Sequence, residues 1–292
     1  MARNSALRKA DARRNALFVL PMTLFAVVLV ALPLIYVLGT SLVQSGQDFS
    51  LSATFTLDNY KRLLRADYLL VFFNSLKLAF LTTVVCFLIG YPFGYCMAKA
   101  SRGWKALLMM LVIIPFWTSA LVRIYGWKIL LQGNGPVNTV LKSLGLIEKN
   151  IKFLGSYGSV LLAMVYCMIS FMILPCHSAV DKMDFTLVEA ARDLGASPLR
   201  VLRDITLPLI MPAVVSGMML AVAMSIDDVV ISFFVTSGET TPLPLKVYTG
   251  LRSGGTPEIN ALSTLMLGAI FVIVGLSQLL RARSDKKLYS SK

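Results

Sequence analysis

The sequence predicts an all-α membrane protein with six transmembrane helices, on the basis of its composition, its long apolar stretches and its distribution of positive charge. Hydrophobic residues make up 57% of the 292 residues and charged residues only 15%, and the mean hydropathy is +0.73. A soluble domain of this length cannot bury so much apolar surface. A helix needs about 20 apolar residues to cross the ~30 Å hydrocarbon core of a bilayer, and six stretches reach that length.

The six predicted spans form a membrane domain, 16–280, between a basic segment, 1–15, and a tail, 281–292. The basic segment resembles a secretory signal. The apolar stretch that follows it is too long for a signal and lacks a small-residue cleavage site, so we interpret it as a retained anchor. The spans are Ala16–Val43, Leu69–Ala98, Ala106–Leu131, Gly158–Cys176, Leu209–Val235 and Asn260–Leu280.

The positive charges predict the orientation of the spans. Seventeen of the 28 Lys and Arg residues lie before the first span, after the sixth and in the second and fourth connections, whereas eight lie in the other three connections. Under the positive-inside rule, both termini and the fourth connection are cytoplasmic. The net charge of +13 is spread over several loops without an aromatic-basic pattern, which argues against a nucleic-acid partner.

The cysteines and the single histidine indicate neither a disulfide framework nor a metal site. Cys86, Cys96, Cys167 and Cys176 all fall within apolar spans and show no C-x-x-C spacing. Zinc sites need several Cys or His ligands at short spacing. His177 lies where the fourth span meets the cytoplasm, and we interpret it as a solvated interfacial side chain.

The connections between the spans carry turn and short-helix signals. The outer loop Gln44–Tyr68 is polar, and 56–60 begins a short amphipathic helix. Lys99–Gly103 makes a tight cytoplasmic hairpin, and Gly133–Pro136 ends the third span with turn residues. Prolines inside the spans are tolerated because neighbouring helices can satisfy the freed backbone groups. We predict a functional bend only at Pro115, which lies beside Phe116 and Trp117.

The fourth connection, 177–208, begins with a predicted short helix. Thr186 and Glu189 have the spacing of a capping box, in which the Glu189 carboxylate accepts a hydrogen bond from the Thr186 amide. Gly195 then suits the left-handed residue that follows a helix. A larger side chain in that conformation would misplace the residues beyond it.

A second short helix is predicted after this turn. Ser197 is a suitable N-cap residue, and Pro198 is suited to the first helical position. Leu207 and Pro208 end this helix before the fifth span. The two short helices, set at an angle, are expected to form a rigid protrusion at the cytoplasmic face of the membrane.

The same connection carries a recognisable sequence pattern. It consists of Glu-Ala-Ala from Glu189, three residues, Gly195, nine residues, and Ile-x-Leu-Pro ending at Pro208. The pattern resembles the signature of permease subunits of bacterial ATP-binding-cassette (ABC) importers, and every signature position matches. The resemblance implies the type I importer permease fold, with a short coupling helix that seats in a groove of a cytoplasmic ATPase dimer.

The resemblance also implies that this chain has no catalytic residue and binds no cofactor, because ATP and Mg belong to the partner ATPase. For Glu189, capping and docking roles are compatible. For the charged members of the set, a solvated helix face is the alternative. The residues that this resemblance assigns to ATPase coupling are Glu189, Ala190, Ala191, Asp193, Gly195 and Arg200.

Other segments narrow the resemblance to spermidine/putrescine importers. Residues 115–127 look like the third span of the first permease of these systems, whereas 225–232, 243–248 and 257–261 are more similar to the second permease. The resemblance implies polyamine uptake together with a second permease subunit and a periplasmic polyamine-binding protein. A heterodimer is favoured over a homodimer, and the mixed character leaves open which of the two subunits this chain replaces.

Two carboxylates inside the fifth predicted span, Asp227 and Asp228, mark a candidate substrate path. A charge within the bilayer is costly unless it faces water, a partner or a substrate. In the functional interpretation, these carboxylates and the faces of Trp117 and Tyr125 attract ammonium groups. In the alternative, the carboxylates contact Arg123 or a helix N-terminus. Small and polar residues at helical spacing form one face that should point into the bundle: Gly217, Ala221, Ser225, Asp228 and Ser232. Of these, Ser232 is also assigned to the substrate path, as Asp228 is.

Two residues near the outer loops, Tyr248 and Glu258, are candidate contacts for the binding protein, with an exposed loop charge as the alternative for Glu258. Other functions remain open from the sequence: import of ferric iron, sulfate or a phosphonate by the same machinery, or a membrane scaffold without transport. The paired carboxylates argue against the anions. A membrane-embedded enzyme is disfavoured because the chain has one histidine and no nucleophile beside a suitable base.

Overall fold

The computed structural model describes most of the chain, and the described residues are almost entirely helical, which confirms the predicted all-α class. Residues 1, 45–53 and 291–292, which belong to the predicted basic segment, outer loop and tail, lie outside the described residues. The described residues are 2–44, 54–64, 66–236, 242–253 and 257–290, with their side chains except those of 2–18, 66, 67, 273 and 276–290.

The helices follow one another with short connections. A five-residue π-helical segment, Leu202–Thr206, joins α9 to α10. In chain order the helices are α1 (Ala2–Ser41), α2 (Asp58–Leu63), α3 (Ala66–Lys99), α4 (Arg102–Trp117), α5 (Ala120–Leu131), α6 (Pro136–Ser143), α7 (Tyr157–Asp181), α8 (Thr186–Asp193), α9 (Pro198–Val201), α10 (Leu207–Asp227), α11 (Val230–Val235), α12 (Leu243–Arg252) and α13 (Pro257–Ser290).

Several of these helices are long and apolar enough to cross a membrane. Within the described residues, four segments meet that test, and a fifth candidate is a helix pair with a sharp bend. The apolar helix Pro257–Val272 is shorter. The multi-span class is therefore confirmed, whereas the count of six and the cytoplasmic termini stay predictions. The four segments are Val19–Ser41, Tyr68–Lys99, Tyr157–Asp181 and Pro198–Asp227.

The third predicted span, Ala106–Leu131, is wrong as a continuous helix. The chain breaks after Trp117, and the segments on either side are bent by 97°. The Thr118 hydroxyl donates to the Pro115 carbonyl at 3.0 Å, and Thr118 itself is extended. A side chain that occupies a backbone carbonyl in this way competes with continuation of the helix. The bend predicted at Pro115 thus exists, three residues further along the chain.

One compact unit, made of 66–249 and 269–292, has α7 packed against both α3 and α10. A Cβ atom on Gly94 of α3 would lie 3.1 Å from the Ile173 carbonyl oxygen. A Cβ atom on Gly217 of α10 would lie 3.1 Å from the Phe171 carbonyl oxygen. Small residues allow helix backbones to approach this closely in membrane bundles. Gly94 therefore permits the close packing of α3 on α7, and Gly217 permits that of α10.

A second compact unit is made of 1–65 and 250–268. Its polar contacts gather around the end of α1. The buried Asn59 amide donates to the carbonyl oxygens of Ser41 and Val43, at 2.9 and 2.8 Å. The Asn260 amide donates to the Thr40 hydroxyl at 3.0 Å. Helix α2 confirms the short helix predicted in the outer loop.

Candidate functional site

The exposed connection between α7 and α10 begins with a capped helix, but the cap differs from the predicted one. Asp184 Oδ1 accepts hydrogen bonds from the Thr186 amide at 3.0 Å and from the Thr186 hydroxyl at 2.8 Å. The predicted capping box is therefore wrong, because Asp184 already occupies the amide assigned to Glu189. These two hydrogen bonds hold the pKa of Asp184 below its usual value. Glu189 is left exposed.

Gly195 adopts the predicted left-handed conformation, with φ of 83°. Its amide donates to the Arg192 carbonyl at 2.9 Å, and the Ala196 amide donates to the Ala191 carbonyl at 3.0 Å. This pair of bonds is the Schellman motif that ends many helices. The glycine of the sequence pattern is thereby explained, because this motif places a left-handed residue at Gly195.

The surface of this connection combines the signature residues with two exposed leucines that were not predicted as coupling residues. Leu194 is 89% exposed and Leu199 is 74% exposed, on either side of Gly195. Their signal in the sequence is an apolar residue next to the turn glycine and another directly after the proline at the start of a helix. Of the predicted coupling residues, Ala191 is half-buried, and these are exposed: Glu189, Ala190, Asp193, Gly195 and Arg200.

The second short helix was predicted to end at Leu207 and Pro208, and this prediction is wrong. The segment Pro198–Asp227 is one continuous helix. The Leu207 amide donates to the Leu202 carbonyl, five residues back. A π-type turn of this kind shifts the hydrogen-bond pattern by one residue, which accommodates a proline that has no amide. Ser197 precedes the helix as predicted, although its side chain makes no capping bond within the described residues.

The fifth predicted span, Leu209–Val235, is also interrupted, at the paired carboxylates. Asp227 is the last residue of α10, and Asp228 is extended. Asp228 Oδ2 accepts a hydrogen bond from the Ile231 amide at 2.7 Å, in the first turn of α11. A side-chain acceptor placed there starts a new helix. It corresponds to the structural alternative for these carboxylates, a contact with a helix N-terminus.

The two carboxylates have different surroundings. Asp228 is half-buried, and the fully buried Ser232 donates its hydroxyl to the Asp228 carbonyl at 2.9 Å. Asp227 is exposed and has no hydrogen bond or ion pair within the described part of the chain. Arg123 and Asp228 form no ion pair among the described residues. Asp227 is therefore the carboxylate that is accessible to a cation.

The small face of α10 points into the bundle, as predicted, up to the break. Gly217, Ala221 and Ser225 are buried, and this face packs against α7. It serves helix packing rather than lining a path. Beyond Asp227 the helical spacing is interrupted, so the structure does not bring Asp228 and Ser232 onto one continuous face with these residues.

An apolar groove of about 400 Å³ lies beside the break in α10. Tyr248 and Phe233 meet edge to face across it, with ring centroids 6.4 Å apart. Tyr125 packs in the same way on Phe234, at 6.5 Å. Trp117 is 87% exposed and has no aromatic contact within the described residues. The groove is lined by Leu121, Val229, Val230, Phe233, Phe234 and Tyr248.

Glu258, at the start of α13, is engaged in an ion pair. Its Oε1 atom lies 2.5 Å from Nη1 of Arg62 in α2. Glu258, which was predicted to contact a binding protein, therefore already has a positively charged partner in this chain. Among the described residues, no group of three or more His, Cys, Asp or Glu side chains is arranged to hold a metal ion.

Comparison with known proteins gives a family match. The model of the family described as "Binding-protein-dependent transport system inner membrane component" matches residues 90–288. The chain is 41% identical over 194 residues to the spermidine/putrescine transport system permease protein PotB of Escherichia coli K12, covering 66% of this chain and 70% of that protein. It is 47% identical over 110 residues to the putrescine transport system permease protein PotI of the same strain, covering 38% and 39%.

Solved structures show the same fold. A chain of a bacterial ABC transporter involved in the import of the acidic polysaccharide alginate matches with a TM-score of 0.76 and 16% identity, over 95% of this chain and 98% of that one. A chain of the MetNI methionine ABC transporter in an inward-facing conformation matches with a TM-score of 0.54 and 16% identity, over 73% and 93%. At this identity, the likeness concerns the fold alone.

Proposed function

This chain belongs to the family of binding-protein-dependent transport system inner membrane components, and from that premise we propose that it is a permease subunit of an ATP-driven importer of polyamines. It is a multi-pass protein of the inner membrane, and its role is transport rather than catalysis. The observation that carries the polyamine assignment is the 41% identity to PotB over 70% of that protein's length.

The connection around α8 is the part proposed to bind a cytoplasmic ATPase dimer, which binds ATP and Mg. Its geometry supports this role: a capped helix and a Schellman turn hold exposed side chains in a fixed arrangement. Leu194 and Leu199 are the apolar contacts, because burial of an exposed leucine contributes about 1.5–3 kcal/mol. Glu189, Asp193 and Arg200 supply polar contacts around them.

The substrate path is proposed to pass the break in α10. Polyamines alternate ammonium groups with methylene segments. The site offers the exposed carboxylate of Asp227 and, beginning two residues later at Val229, an apolar, aromatic groove. Asp227 also lies in the last turn of α10, whose free carbonyl groups carry partial negative charge. Ammonium groups would meet Asp227 and the aromatic faces, including Tyr125, while the methylene segments pack along the groove. Asp228 and Ser232 shape the break.

The remaining partners complete the importer. A second permease subunit, different from this chain, would close the path from the other side, and a homodimer is the alternative. A periplasmic polyamine-binding protein would bind the outer loops, with Tyr248 and Glu258 as its candidate contacts. Sidedness follows from the positive charges, with the α8 connection and both termini in the cytoplasm.

ATP hydrolysis by the reconstituted complex tests the proposed function. The complex should hydrolyse ATP several times faster when its binding protein is loaded with spermidine or putrescine than when that protein is empty. Binding proteins for sulfate or ferric iron provide the controls, since they should have no effect. Stimulation by an anion-loaded binding protein, with none by the polyamine-loaded one, would overturn the substrate assignment. Absence of a co-purifying ATPase would favour the membrane scaffold.

A further inference from the structure

Four side chains at four-residue spacing form a continuous row along α3. The Phe87 and Tyr91 rings are stacked, with centroids 5.7 Å apart, and the Tyr91 and Tyr95 centroids are 6.5 Å apart. The Lys99 ammonium nitrogen lies 4.4 Å from the centroid of the Tyr95 ring. Residues four apart are neighbours on a helix surface, so the row extends from the interior of α3 to its last residue.

Lys99 also contacts the beginning of α8. Its ammonium nitrogen lies 5.3 Å from the centroid of the Phe185 ring. The Phe185 carbonyl accepts hydrogen bonds from the Val188 and Glu189 amides, both at 3.0 Å. The Phe185 ring is therefore tied to the first turn of α8, and one cation holds a ring of α3 and a ring at the start of α8.

The opposite end of α3 contacts α12, which carries Tyr248 of the apolar groove. The Lys246 ammonium nitrogen lies 4.2 Å from the centroid of the Tyr68 ring. The Leu243 amide donates to the Ser75 hydroxyl at 2.6 Å. At 1.5 Å per residue, the 34 residues of α3 extend over about 51 Å. One helix thus touches the groove-bearing helix at one end and α8 at the other.

We propose that α3 links the groove to the α8 connection within this subunit, and that Lys99 is a positioning residue that holds α8 to α3. The chain joins α8 to α7 only through the turn at 182–185, which leaves the angle of α8 to be fixed by side chains. Buried Val188 and the packing of α8 on α9 and on the π-helical segment contribute to it, and the Lys99 contact with Phe185 ties the start of α8 to α3. Displacement of α8 by a bound ATPase then moves α3, and through α3 it moves α12. This inference rests on the proposed transport function.

The number of ATP molecules hydrolysed per substrate molecule transported tests this link in proteoliposomes that contain the whole complex. Lys99→Gln should raise this ratio about threefold or more while the ATPase still co-purifies, because hydrolysis no longer moves α3 efficiently. Lys99→Arg keeps a cation over both rings and should stay near the wild-type ratio. Lys182→Gln is the matched control, since Lys182 also lies on the predicted cytoplasmic side of the membrane and contacts no ring among the described residues.

A double-mutant cycle identifies the contact. Phe185→Leu alone should raise the ratio as Lys99→Gln does, and the double variant should raise it no further, because both changes break one interaction. An unchanged ratio in Lys99→Gln, equal effects of Lys99→Arg and Lys99→Gln, or additive effects in the double variant would each overturn the inference. Loss of ATPase co-purification in Lys99→Gln would do so as well, because it would assign Lys99 to assembly.

An error in the polyamine assignment can be distinguished from an error in the role of Lys99. In that case the wild-type complex would transport a different solute, and the same ratio, measured with that solute, decides the role of Lys99. The comparison between Lys99→Gln and Lys182→Gln does not depend on which substrate is carried.

Discussion

At the scale of single residues, the adjacent carboxylates Asp227 and Asp228 have separate tasks. Both are acidic residues of one predicted span, and nothing in the sequence ranks them. The structure separates them because the chain breaks between them and a new helix begins. Asp228 caps that helix with its carboxylate, whereas Asp227 is exposed, two residues before Val229 of the apolar groove.

Substitutions at the two carboxylates should therefore have different effects. Asp227→Asn should reduce polyamine uptake by about tenfold or more, since a charge-assisted hydrogen bond contributes ~1.5–3 kcal/mol, and should leave the melting temperature of the complex unchanged. Asp228→Ala should lower the melting temperature, because loss of a cap costs about 1 kcal/mol. Asp228→Asn keeps an acceptor oxygen and is the control. Normal uptake by Asp227→Asn would remove this residue from the path.

Asp184 illustrates a cap that depends on pH. Hydrogen bonds from Thr186 lower its pKa in the folded protein, so the stabilisation of α8 is fully present above the unfolded-state value of about 3.9 and is lost as pH falls through the lowered value. At neutral pH, Asp184→Ala should speed hydrogen exchange of the Thr186 amide severalfold, because that amide loses its acceptor. Unchanged exchange in this variant would show that the cap is not important.

At the scale of secondary-structure elements, the turn at Gly195 decides how α8 is presented. The backbone there has φ of 83°, and a Cβ atom would meet no neighbour within 4 Å. A substitution therefore acts through backbone strain alone, at a cost of about 1–2 kcal/mol. If the ATPase requires this turn, Gly195→Ala should weaken its binding about 5- to 30-fold.

The control for this substitution is Gly103→Ala, at an exposed glycine without positive φ and with no neighbour near its Cβ position. Affinity for the ATPase is measured by titration of the purified permease pair. Equal affinity of the Gly195→Ala and Gly103→Ala variants would show that the left-handed turn is not needed for docking.

The apolar side chains next to this turn should contribute most of the docking energy. Leu194→Ala and Leu199→Ala should each weaken ATPase binding about tenfold, because burial of a leucine contributes ~1.5–3 kcal/mol. Leu146→Ala, at a leucine that is also exposed but is predicted to lie on the outer side, should have no effect in the same titration. Wild-type affinity in the double variant of Leu194 and Leu199 would show that the docking surface lies elsewhere.

The sequence predicted the existence of most helices and a bend near Pro115, but not the residues at which the helices break. Apolar length is a strong signal, and it located the helices that contain 69–98 and 158–176. The breaks at Thr118 and Asp228 arise from single side chains that take over backbone hydrogen bonds. The apolar pattern of a sequence does not indicate where a side chain competes with the backbone for a hydrogen bond. The continuous helix through Leu207 and Pro208 was missed for a similar reason, since a π-type turn absorbs the proline.

The site was predictable where the motif imposes a backbone conformation. Gly195 is the example, because a left-handed turn after a helix favours glycine. The assignment of Ser232 to the path came from helical spacing, and the break in the helix leaves that residue buried. Leu194 and Leu199 were missed because an apolar residue in a membrane protein carries little information until its exposure is known.

At the scale of the whole molecule, the assignment as an importer subunit depends on several regions of the chain together. The family match covers 90–288 and includes both the α8 connection and the break in α10. Helix α3 contacts the start of α8 at one end and α12, which carries Tyr248 of the apolar groove, at the other. The subunit thus presents one surface suited to an ATPase and another suited to a cationic, partly apolar substrate.

The most direct test of this account is uptake of labelled spermidine by proteoliposomes that contain the assembled complex and ATP. We expect uptake that requires ATP and the binding protein, is inhibited by unlabelled putrescine, and is unaffected by sulfate or ferric iron. Uptake of sulfate or ferric iron in place of spermidine, or spermidine entry that continues without ATP, would contradict the account.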